Sequence, residues 1–88
     1  PLFSVDSRDA RAAVREAEAR VARLRSQVAA ARTSLSVARR QYALYAQAGD
    51  PRAVSRQEVI TRQGAVEDTA AQAAVASAQL REAEAQLQ

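Results

Sequence analysis

The sequence predicts an all-α fold, a long antiparallel two-helix coiled-coil hairpin with helices over about 8–47 and 55–88 and a short extended lead-in at 1–5. Two seven-residue apolar repeats carry the prediction. Val14, Val21, Val28, Leu35 and Tyr42 recur at one heptad position, and Val59, Val66, Ala73, Leu80 and Leu87 recur at another. The third observation is the break between them, Gly49-Asp50-Pro51. Folding the chain there sets Tyr42 against Val59, Leu35 against Val66, Val28 against Ala73, Val21 against Leu80 and Val14 against Leu87. The residue numbers of all five pairs have the same sum, as one fixed antiparallel register requires of seams that repeat every 3.5 residues.

Each element follows from local chemistry. Pro1-Leu2-Phe3-Ser4-Val5 alternates apolar and polar residues and contains β-formers, so it reads as a strand-like lead-in. Asp6 or Ser7 is then suited to cap the first helix, and Asp9 complements the exposed amides of its first turn. From about Arg8 to about Gln47 there is no glycine or proline, and Ala, Arg, Gln and Glu, all good helix formers, dominate. Residues 48–54 form the tip turn, where Gly49 suits a helix terminus and Pro51 cannot continue a helix. Ser55-Arg56-Gln57-Glu58 is a Ser-x-x-Glu capping box directly ahead of Val59 and Ile60. The second helix then runs on through Gly64, which costs about 1 kcal/mol relative to alanine.

A second seam in the same register is thinner, with Ala38 against Gln63, Ala31 against Ala70, Leu24 against Ser77 and Ala17 against Glu84. Two helices side by side enclose no compact interior, so the 88 residues read as a single hairpin domain, a rod without a pocket. Chain ordering nearly offsets such modest burial, which points to a piece of a longer protein or to a hairpin that pairs with something.

The 13 basic residues are all arginine, and the net charge is only +3. The charge is unevenly placed. Residues 8–45 hold nine arginines against Asp9, Glu16 and Glu18, while residues 55–88 hold Arg56, Arg62 and Arg81 against five acids. Opposite net charge favours the two arms lying together, at about 0 to 1 kcal/mol for each exposed pair. Without cysteine no disulfide framework is indicated, and no apolar run approaches the roughly 20 residues of a membrane span. Any targeting segment or anchor is expected outside these residues.

No enzymatic activity and no cofactor is expected, because His, Cys, Lys and a Gly-rich phosphate loop are all missing. No metal is expected either. Glu67 and Asp68 form the densest acidic pair, but neighbours on a helix point about 100° apart and do not readily chelate one ion, so they read as a solvated face. Near the turn, Tyr42 and Tyr45 read either as a plug closing the coiled coil or as contacts, and Leu44, off the seam, reads as an exposed contact.

Arg40, Leu44 and Ala53-Val54-Ser55-Arg56-Gln57-Glu58 together resemble the helical hairpin of bacterial periplasmic adaptors, the membrane fusion proteins of the hemolysin-secretion and multidrug-efflux family. The likeness covers essentially the whole chain. Pro1-Leu2-Phe3-Ser4-Val5-Asp6 is similar to the strand that leaves the family's lipoyl-like domain, so 1–6 would be an extended segment of an adjoining domain. The resemblance implies that Arg40, Leu44 and Ser55 at the tip bind a TolC-type outer-membrane channel. Leu44 and Ser55 stand eleven residues apart, a longer turn than the usual motif and more like that of adaptors of ATP-driven exporters.

On this resemblance, the hairpin packs side by side with further copies, commonly as a hexamer, into a tubular conduit for efflux or secretion. It implies a periplasmic location, an inner-membrane transporter reached through other parts of a protein anchored in the inner membrane, no nucleic acid, and no membrane insertion by these residues. Two other readings stand beside it. One is a free-standing coiled-coil module that dimerises or spaces domains, and the other is an arginine-rich RNA-binding arm. Against the latter, the arginines of the first helix spread around its circumference, and Phe3, Tyr42 and Tyr45 are few for base stacking.

Overall fold

A computed structural model describes the backbone of residues 2–47 and 56–87 and the side chains of 7–47 and 56–87. Two helices make up this part of the chain, α1 (Leu2–Ala46) and α2 (Arg56–Leu87), packed side by side into a rod of 77 × 15 × 13 Å. Their uninterrupted helix formers explain the lengths, and the amide of Gln47 still donates to the Ala43 carbonyl at 3.0 Å as α1 ends. The tip turn expected at 48–54 and the capping Ser55 lie outside the described residues. α2 opens at Arg56, one residue past the expected cap.

The start of α1 departs from the sequence expectation. Residues 2–5 are helical, so the extended lead-in is replaced by one more helical turn, and Asp6 and Ser7 sit inside α1 instead of capping it. Alternation makes a strand only beside another strand, and the described residues contain none. The backbone groups here are satisfied by prolonging the helix that follows.

The hairpin pairs in a register slid by three residues from the expected one. On α1 the buried and half-buried residues step by three and four through Ala17, Val21, Leu24, Val28, Ala31, Leu35, Ala38, Tyr42 and Tyr45. On α2 the matching steps run through Val59, Arg62, Val66, Thr69, Ala73, Ala76, Leu80 and Ala83, with Gly64, Ala65, Ala70, Ser77 and Glu84 half-buried beside them. Val21, Leu24 and Ala83 form one buried cluster with Leu80 packed on it, and Ala83 is only 3% exposed.

One antiparallel alignment satisfies all of this. Val21 and Leu24 pack with Ala83 and Leu80, and carrying that alignment along the helices sets Val28 level with Ala76, Ala38 level with Val66 and Tyr42 level with Arg62, next to the Gln41 that Arg62 bonds. The Arg25–Glu84 ion pair at 3.3 Å fits the same alignment, because both side chains lean toward their own helix N-terminus and so converge. In the expected register the two residues would stand on the order of 12 Å apart along the axis, too far for their side chains to meet.

The reason for the slide lies in α2. The expected second seam stepped through Gln63, Ser77 and Glu84, whereas one residue earlier the chain offers Ala76 and Ala83, which are buried at no desolvation cost. The expected Val14–Leu87 layer is consequently not closed, and the two residues are 48% and 37% exposed. Leu87 comes level with Ala17, which leaves the first turns of α1 without α2 alongside. No polar or charged residue is buried among the described residues, and in the mid-stem helix pairing rests on aliphatic side chains of α1 laid on Leu80 and the alanines of α2.

Candidate functional site at the turn end

The sequence singles out Arg40, Leu44 and Ser55. Arg40 and Leu44 are one helical turn apart near the end of α1, and both are exposed, Leu44 to 74%. Leu44 lies off both seams, so nothing in the helix pairing uses it. Ser55 is outside the described residues, and its proximity to Arg40 and Leu44 is therefore not part of the geometry.

Behind this surface a polar clamp joins the helices. Arg62 lays its guanidinium over the Tyr45 ring, 4.8 Å from the centroid. The same group donates to Gln41 Oε1 at 3.1 Å and to the Tyr45 hydroxyl at 3.4 Å. Tyr42 and Tyr45 are half-buried, in line with the plug reading, and Arg62 is what Tyr45 closes upon. Sequence reasoning places Gln63 at the seam and misses Arg62. The available signal is spacing, since Arg62 lies three residues after Val59 and four before Val66.

The other face of this end is basic. Arg32, Leu35, Ser36, Arg39, Arg40 and Ala43 line one open groove on α1. Leu35 is half-buried there, while Arg32, Arg39 and Arg40 are exposed. On α2, Glu67 and Asp68 are both exposed, as a solvated acidic pair should be.

This arrangement is suited to contact. Among the described residues no group of three or more His, Cys, Asp or Glu is placed to hold a metal ion, and no helix is long and apolar enough to cross a membrane. The grooves are open troughs along single helices or between them, which offer shape and charge to another surface. The chain matches no family model, no curated protein and no solved structure.

Proposed function

We propose that this hairpin is the helical arm of a periplasmic adaptor in a tripartite efflux or secretion system. In this reading its turn end docks with the helical tips of a TolC-type outer-membrane channel, and its flanks pack against further copies to form a conduit. The observation that carries the proposal is Leu44, a large apolar residue left 74% exposed beside Arg40 at one end of a long rod. A leucine that the fold itself does not use is a candidate for a contact supplied from outside.

Physically, a tip of this width offers little area. Individually weak tip contacts hold only when several hairpins engage together, since linked sites bind with a raised effective concentration. A rod also suits the task of spanning distance. At 1.5 Å per residue, the 45 residues of α1 reach roughly 67 Å without any intervening domain.

The test uses the absence of cysteine from the chain. Leu44→Cys in the intact protein in cells is expected to cross-link to an outer-membrane channel, whereas Val75→Cys, also exposed but in the stem, is not. A folded protein whose tip cysteine gives no channel adduct while the channel is present would leave only the simpler function, a coiled-coil spacer or dimerisation module.

A further inference from the structure

Arg25, Arg32 and Arg39 recur every seven residues and so stand along one edge of α1. Arg25 is met across that edge by Glu84. Seven and fourteen residues before Glu84, the positions on α2 that would answer Arg32 and Arg39 hold Ser77 and Ala70, neither able to carry charge. Arg40 adds a third guanidinium to the groove that Arg32 and Arg39 line. None of these three arginines makes an ion pair or a side-chain hydrogen bond among the described residues.

The missing carboxylates exist elsewhere on the rod. Glu67 and Asp68 are exposed on α2 and likewise have no ion-pair partner among the described residues. The observed register sets Glu67 level with Val37 and Asp68 level with Ser36, so the acidic pair stands at the height of the span from Arg32 to Arg40.

We propose that Glu67 and Asp68 of a second copy of this chain occupy the Arg32–Arg39–Arg40 groove, with the two hairpins side by side and pointing the same way. Equal height is the reason for equal polarity. Two rods aligned in parallel bring acid to base without axial offset and stay in contact along their whole length, whereas reversed rods matched at this height overlap only near their turns. The inference rests on the side-by-side packing proposed above and names the groups that meet in it. Groove and acidic pair belong to different faces, so the contact is heterologous. Each copy in a pair leaves one groove or one acidic pair open to a further copy, and the contact extends to a row or closes to a ring.

The test is a charge exchange in the 88-residue chain. One variant carries Arg39→Glu with Arg40→Glu, the other Glu67→Arg with Asp68→Arg; all four positions are exposed, and circular dichroism checks that helicity is kept. Sedimentation equilibrium, up to about 1 mM protein, should show self-association of the unaltered chain that weakens as salt screens it. Each variant alone should associate at least about tenfold more weakly, and an equimolar mixture of the two should recover to within about threefold, because acid groove then meets basic pair.

Three results overturn the proposal: an unaltered chain that stays monomeric throughout, variants that associate as the unaltered chain does, or a mixture that fails to recover. A polyanion bound through the arginines but insensitive to Glu67→Arg would assign the groove to a nucleic acid instead. The Leu44→Cys cross-link reads the channel contact separately. A positive charge exchange with no tip adduct sinks the adaptor reading alone, and the converse sinks only the lateral contact.

Discussion

Between Val21 and Val28 the α1 seam is aliphatic and lies level with Leu80, Ala76 and Ala83, whereas between Leu35 and Tyr45 it lies level with Thr69, Val66, Arg62 and Val59. Both stretches obey one heptad. The mid-stem fills its layers with side chains that have no polar requirement, so its helices are held by burial and by close approach over alanine. At the turn end aromatic rings meet a guanidinium, burial is partial, and directed hydrogen bonds replace it. The contrast separates two jobs. Apolar layers supply most of the stability but tolerate more than one alignment, while a polar group in the seam penalises every alignment in which it loses its partners.

The largest effect should come from the mid-stem. Leu24→Ala removes a buried side chain from the cluster with Val21, Ala83 and Leu80, and should cost about 2–4 kcal/mol. In a two-helix hairpin that loss is a large part of the total, so thermal unfolding followed by circular dichroism should shift to much lower temperature. A change no greater than that of an exposed-site substitution would mean that the mid-stem is not where the stability resides.

At the turn end Arg62→Ala should cost less, about 1–1.5 kcal/mol, since it removes a partly exposed cation–π contact and two hydrogen bonds. Its characteristic effect is on alignment. Cysteines introduced at Val28 and Ala76 should cross-link efficiently in the unaltered background and less efficiently with Arg62→Ala, while a Val28–Ala73 pair gains. If both pairs respond identically, Arg62 does not select the register.

The smallest effect has the opposite sign. Gly64 lies in α2 close to Arg62, nothing beyond its chain neighbours and its own helix backbone stands within 4 Å of the position its Cβ would take, and its φ is not in the left-handed region. Gly64→Ala should therefore stabilise by about 0.5–1 kcal/mol, raising the denaturant midpoint at unchanged slope. A destabilisation there would show that the turn end needs the backbone freedom that the mid-stem does without.

Much of the fold is legible in the order of residues alone. Two heptads, a Gly-Asp-Pro break and a capping box lead directly to a hairpin, because coiled-coil periodicity is a local property of each helix. Register is less legible. Val59, Val66, Ala73 and Leu80 identify one seam of α2, but the second seam is open to a step of three or four. The choice turns on Ala76 and Ala83 being easier to bury than Ser77 and Glu84. Leu2 to Val5 mislead because they alternate, and alternation signals a strand only where a partner strand exists.

Of the candidate site, the exposure of Leu44 follows from its place between seams, and that of Arg40 from its charge. The partnership of Arg62 with Tyr45 and Gln41 does not follow from either, since it depends on how far one helix is shifted along the other.

The alanine seam of α2 carries a mechanical consequence. Alanine presents a low relief, so the two helices behave like smooth rails: resistance to bending comes from their joint thickness, but resistance to shear must come from whatever interlocks them. Leu24 with Leu80 is one such tooth, and the Arg62–Tyr45 clamp is another. A pull applied to one helix at the far end passes into the other chiefly at those teeth, which makes the rod stiff as a strut and compliant as a piston.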